Sequence, residues 1–193
     1  MSIDMKSKGK KTTKPSDGAG SAGLPSTEVV ELTPGQKAKI TANKTAKTAM
    51  TLAKAHLARE SKKHGGRWQW VEFPGPQGFE SAGIVDILAI RKRWETPNFP
   101  GDEVLKHLDI FDIMLIQVKG GGAGMPTDQD IARMERVADL YLIEKILLYQ
   151  WNVKKKAGTG YYVLNRETHK FGPLVEDGKD VFGKQLPSSR AKS

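Results

Sequence analysis

The sequence predicts an α/β protein built on a mixed central sheet of about five strands flanked by helices. Two periodicities and one ordering carry that prediction. Aromatic and β-branched runs of strand length recur at 67–73, 84–90, 110–119, 146–151 and 160–164. Two longer segments, 36–63 and 128–142, repeat their apolar residues at three- and four-residue steps, the period of a half-buried helix. The second of these lies between the third and fourth strand runs, so the order is α-β-β-β-α-β-β, strands covered by helices.

Residues 1–36 are rich in Lys, Ser, Thr, Gly and Pro without periodic apolar positions, the composition of a flexible arm. In the first helix Ala42, Ala46, Ala49, Ala53 and Leu57 form a narrow inner face with Met50 beside them, and Lys37, Lys44 and Lys62 fall on the opposite side. Gly65-Gly66 ends it. Its acid, Glu60, falls on the inner side, where a carboxylate needs a partner. The first strand run, Arg67 to Phe73, is closed by Pro74-Gly75-Pro76. The second, Ile84 to Ile90, is followed by a polar stretch with Pro97, Pro100 and Gly101 that reads as an insertion over 91–108. After the third strand a glycine run, Gly120 to Gly124, leads to Thr127, a helix N-cap with Asp130 three residues on. Ile131, Met134, Ala138 and Leu142 make the inner stripe of that helix. Beyond Asn165 the chain is polar. The expected organisation is a basic arm over 1–36, an α/β domain over 37–165 and a loose tail over 166–193.

The 193 residues suffice for one domain with tails. The absence of cysteine excludes disulfide frameworks, thiolate zinc sites, iron–sulfur clusters and cysteine nucleophiles. No apolar run approaches the roughly 20 residues needed to cross a bilayer, and the opening residues lack the apolar stretch of a secretory signal. A soluble, intracellular protein without a membrane partner is expected. The net charge of +9 is unevenly spread. Residues 37–67 carry nine Lys/Arg against one Asp/Glu, 68–153 carry eight against thirteen, and 154–193 carry nine against four. An acidic centre between basic flanks suggests a polyanion held by the flanks and carboxylates gathered for a metal ion. Lys37, Lys44 and Lys62 on the helix, and Lys154-Lys155-Lys156 at a hairpin tip, are the candidate phosphate contacts.

Two features break their local rules. Asp86 sits in a run that is apolar on both faces, so its carboxylate is either bonded to loop backbone or serves a cation. Gln117 and Lys119 project to one side at the end of the third strand, just before glycine. On adjacent strands these residues would supply oxygen ligands for a divalent metal and an ammonium beside it.

Strand-borne Asp86, then Gln117-Val118-Lys119 ending the next strand, then a helix and a strand pair, resembles the PD-(D/E)XK nuclease superfamily. Within it, archaeal Holliday-junction resolvases and VRR-NUC proteins have a similar leading helix and a short strand after a glycine turn, here His64-Gly65-Gly66. The resemblance spans about residues 45–165. It implies a restriction-endonuclease-like core and hydrolysis of DNA phosphodiester bonds with Mg²⁺ or Mn²⁺. Asp86, Gln117 and the backbone carbonyl of Val118 would hold the metal, and Lys119 would orient or help deprotonate the attacking water. Glu60 from the first helix, or loop-borne Glu80, would assist. Members often act as homodimers. Gln117 stands where Glu is commoner, lowering the negative charge around the metal by one. The 91–108 insertion lengthens the stretch between the motifs, and Glu60 lies later in its helix than the resolvases' Glu.

Other constellations are weaker. The glycine run satisfies neither G-x-G-x-x-G nor G-x-x-x-x-G-K-[ST] and reads as a loop beside a polyanion site. His56, His64, His107 and His169 lack helical metal-pair spacing, and G-x-S-x-G is absent. Trp68 and Trp70 share a strand face, as core residues or as base-stacking ones. Besides the nuclease, two readings stay open: a nuclease-like fold that binds nucleic acid without cutting, and a structural or interaction protein in which Asp86 is a bonded core residue.

Overall fold

A computed structural model of the chain describes residues 31–73, 83–93, 105–106, 108–151 and 159–183. The chain divides into two units, Met1–Leu32, almost wholly outside the described residues, and Thr33–Ser193, which carries the elements below.

Helix α1 (Pro34–Lys63) starts where Thr33 and Gln36 cap each other reciprocally, with Pro34 at the first helical position. Strands β1 (Gln69–Glu72), β2 (Ile87–Lys92) and β3 (Phe111–Gly120) form an antiparallel meander. Helix α2 (Asp128–Leu140) crosses from β3 to the parallel strand β4 (Lys145–Trp151), with the expected Thr127 and Asp130 capping box. Strands β5 (Gly160–Asn165) and β6 (Lys170–Leu174) add antiparallel, and the short α3 (Lys179–Phe182) follows. The result is a six-stranded mixed open sheet in sequential order β1 to β6.

Each face of the sheet has its own core, as period-2 alternation along β3 requires. Met114 and Ile116 pack with Ala53 and Leu57 of α1, Ile87, Leu147, Tyr161 and Phe182. Leu115 packs with Ile131, Met134 and Ala138 of α2, and with Ile146 and Leu164. The alanine stripe lets α1 lie close to the sheet: a Cβ placed on Gly120 would come 2.6 Å from the Ala49 Cβ.

Four sequence expectations differ from the structure. Strand β2 begins at Ile87, leaving Asp86 just before it, and runs on through Arg91 and Lys92, which had been read into the insertion. Arg91 is buried because Asp112, its register partner on β3, accepts from its Nε at 2.9 Å, while its guanidinium stacks 4.4 Å from the Trp68 ring and Nη1 donates to the Gly183 carbonyl. Second, helix α2 stops at Leu140, and Leu142, expected on the inner stripe, is 91% exposed at a positive φ of 54°. Ile143 takes its place in the core. Third, the sheet has six strands rather than about five, because β6 pairs with β5 beyond Asn165. Finally, the region read as a loose tail buries Val181 and Phe182 against α1 and Trp68, whose Nε1 donates to the Phe182 carbonyl at 2.9 Å. Isolated apolar pairs among Gly, Asp and Lys carry no period, and only the distant partners show that they are core.

Candidate functional site

The start of β2 lies beside the end of β3 because the two run antiparallel, and that pairing brings Asp86 to the Gln117-Val118-Lys119 segment. Asp86 donates its N–H to the Ile116 carbonyl at 3.0 Å and accepts at its own carbonyl from the Phe73 N–H at 3.0 Å. Its Oδ2 accepts the Val118 N–H at 2.7 Å. Ile87 is itself registered on Ile116, so two residues of one strand oppose one of the other, a local bulge. The bulge turns the Asp86 carboxylate onto the end of β3. In a regular strand the N–H and C=O of one residue point to the same flank, which directs the Val118 carbonyl to the β2 side of β3.

Gln117 is 9% exposed, and its Oε1 is buried with no hydrogen-bond partner. Leaving such a group unmet costs about 1–3 kcal/mol, and a cation or a donor entering from the cleft would satisfy it. Lys119 places Nζ 3.7 Å from Asp130 Oδ2 at the first turn of α2. The hydrogen bond from the Thr127 backbone, assisted by the Thr127 hydroxyl and the charges of Lys119 and Arg133, holds the Asp130 carboxyl below its ordinary range. It is therefore an anion at neutral pH and a fixed partner for the ammonium. Because Thr127 and Asp130 occupy the N-terminus of α2 themselves, the glycine run does not lead to an open phosphate-binding helix end.

Asp86, Gln117, Val118 and Lys119 line one cleft of about 950 Å³. Its second wall is α1, through Thr45, Lys47, Met50 and Lys54, and β1 contributes Glu72 and Phe73. Gly120 and Gly121 hold the walls together. Side chains there would meet Ala49 and Thr45 of α1, and Gly121 has a φ of 70° that disfavours other residues. Lys54 pairs with Glu72 at 2.6 Å, whereas Lys47 forms no ion pair among the described residues. The sequence reading passed over Lys47, Lys54, Glu72 and Phe73. The two lysines lie on the flank between the alanine stripe and the outer lysine face, a position that only the packed sheet turns into a cleft wall.

The other singled-out residues lie elsewhere. Lys37, Lys44 and Lys62 are exposed on α1 and do not line the cleft. Glu60 is inward-facing but sits near the C-terminal end of α1, between His56 Nε2 at 3.7 Å and His64 Nε2 at 3.4 Å, with Arg59 Nε at 3.3 Å. It lines a separate cavity of about 270 Å³ with Tyr161 and Phe182. Trp68 is core and Trp70 packs against it. Glu80 and Lys154, Lys155 and Lys156 fall outside the described residues.

The donor set at the cleft is a carboxylate, an amide oxygen and a backbone carbonyl, all hard oxygens of the kind Mg²⁺ takes. The orphaned Gln117 Oε1 fits such an ion. Among the described residues, no three His, Asp or Glu side chains gather as a metal cluster. No helix among the described residues is long and apolar enough to cross a membrane. Compared with family models, curated proteins and solved structures, the chain matches none of them.

Proposed function

We propose that the chain is a metal-dependent nuclease that hydrolyses phosphodiester bonds in DNA. One observation carries the reading: a carboxylate, an orphaned buried amide oxygen, a strand-end carbonyl and a lysine line one cleft at the junction of β2 and β3. Asp86, Gln117 and the Val118 carbonyl would hold Mg²⁺ or Mn²⁺. When bound, the ion polarises the phosphodiester and stabilises the charge that develops on it. A carboxylate offers about four lone-pair sites on its two oxygens, so ligation by Asp86 is compatible with its bond from the Val118 N–H. Lys119 Nζ, steadied by Asp130, holds the attacking water or a phosphate oxygen. Lys47 offers a positive charge on the opposite wall for the flanking phosphate, and Lys37, Lys44 and Lys62 extend the basic surface along α1.

The test incubates branched, linear duplex and single-stranded DNA with and without Mg²⁺ or Mn²⁺. Cleavage that requires metal and is lost in Lys119→Ala is expected; equal cleavage in chelator, or at the wild-type rate in Lys119→Ala, overturns the reading. A second reading, DNA binding without cutting, is favoured by the engagement of Asp86 with backbone and of Lys119 with Asp130. It expects salt-sensitive DNA retention and no cleavage with either metal. Light scattering of the same samples tests whether the active species is a homodimer.

A further inference from the structure

We infer that Phe73 is a base-stacking residue of the cleft, so that the strand brought to Asp86 has an unpaired nucleotide beside the cleavage site. The inference rests on the nucleic-acid reading of the cleft and narrows its substrate class.

Phe73 immediately follows β1 and is 44% exposed. A lone exposed aromatic is ordinary, but this one is fixed against the candidate site. Its N–H donates to the Asp86 carbonyl at 3.0 Å. The β1/β2 register pairs Glu72 with Ile87, and one further step sets Phe73 opposite Asp86. The two backbones therefore stand about one strand spacing, some 4.8 Å, apart. The preceding residue, Glu72, faces α1 through Lys54. Phe73 lines the same cleft as Lys47 and Lys54. An aromatic platform beside basic groups is the combination that binds single-stranded nucleic acid. A base inside a duplex has both faces covered, so only an unpaired or splayed base can use the ring. The buried tryptophans cannot serve: Trp68 is 5% exposed with its indole under Arg91.

The experiment compares the binding of the full chain to a ten-residue oligothymidylate and to a ten-residue abasic strand of equal charge, in chelator so that nothing is cut. The wild type should prefer the base-bearing strand by roughly five- to a hundredfold. Phe73→Leu should bring the two within about twofold, and Phe73→Trp should keep the preference, which separates ring stacking from a folding defect. An unchanged preference in Phe73→Leu, or no preference or no binding in the wild type, overturns the inference. Cleavage with Mg²⁺ is scored separately. A preference for bases without cleavage supports Phe73 and removes the nuclease; metal-dependent cleavage without that preference removes Phe73 and keeps the nuclease.

Discussion

The middle and the C-terminal end of helix α1 present the same inward face to very different neighbours. Near Thr45 and Ala49 the helix meets glycines at the end of β3, and the space beyond them opens into the cleft that holds Asp86, Gln117 and Lys119. Near Glu60 it meets the ring cluster of Tyr149, Tyr161 and Phe182, with His56 packed 5.3 Å from Tyr161. Burial pushes the Tyr161 phenol far up, so it stays protonated and donates to the Ala53 carbonyl at 2.7 Å. Helical period assigns a residue to a face, but it says nothing about where along the axis the partner stands. Fifteen residues separate Thr45 from Glu60, about 22 Å of helix at 1.5 Å per residue. That distance separates an open oxygen-lined cleft from a closed carboxylate–histidine cluster.

The sharpest way to break the contrast is to remove one carboxylate from each region. Asp86→Asn should lower metal-dependent cleavage by several orders of magnitude with an unchanged melting temperature. Glu60→Gln should leave the cleavage rate within about twofold and cost on the order of 1 kcal/mol of stability by removing the charge that lies between His56, His64 and Arg59. Initial rates and denaturant midpoints on both variants read the two effects, and the reverse pattern would move the site to the far end of α1.

Gly120→Ala attacks the seam between helix and sheet. Its Cβ would lie 2.6 Å from the Ala49 Cβ and 3.3 Å from the Thr45 carbonyl, so the helix or the end of β3 must shift. A loss of about 1–3 kcal/mol is expected, with cleavage falling further than stability because Lys119 is the next residue. Urea unfolding alongside steady-state rates checks both.

Gln117→Glu sharpens the metal assignment. One added negative charge beside a dication should tighten metal binding by on the order of 1 kcal/mol or more at an effective dielectric near 20. Calorimetric titration with Mn²⁺ measures it, and unchanged affinity would show that position 117 does not face the ion. The cleavage rate need not follow, since the new anion also pairs with Lys119.

The smallest effect is expected at the histidine end. Burial, and then Arg59, hold the His56 imidazole below its ordinary pKa, with Glu60 opposing. The unfolded chain therefore binds this proton first as pH falls. Stability from His56 is complete above the unfolded value near 6.5 and declines as pH drops through it, levelling off below the folded value. Thermal melts of wild type and His56→Gln at pH 7.5 and 5.5 should show a decline of a degree or two that is smaller in the variant.

Much of the fold was legible because it rests on local rules. The runs at 84–90 and 110–119, the helix capped by Thr127 and Asp130, and the alanine stripe each announce themselves within a dozen residues. Arg91 was misread because a charged residue can be core only if something distant receives it, and Asp112 lies 21 positions away. Val181 and Phe182 were misread for the same reason, since their partners are on α1 and Trp68.

By itself the sequence determined which residues break their surroundings: an acid in an apolar run, an amide and a lysine ending a strand, an acid on an alanine face. Those are chemical anomalies, visible wherever the chain happens to fold. Only the tertiary structure decided which of them meet. Strand register set Phe73 beside Asp86, whereas the axial length of α1 keeps Glu60, with its i−4 and i+4 neighbours His56 and His64, away from that cleft. Pairing across strands joins residues far apart in the chain, and no local period records it.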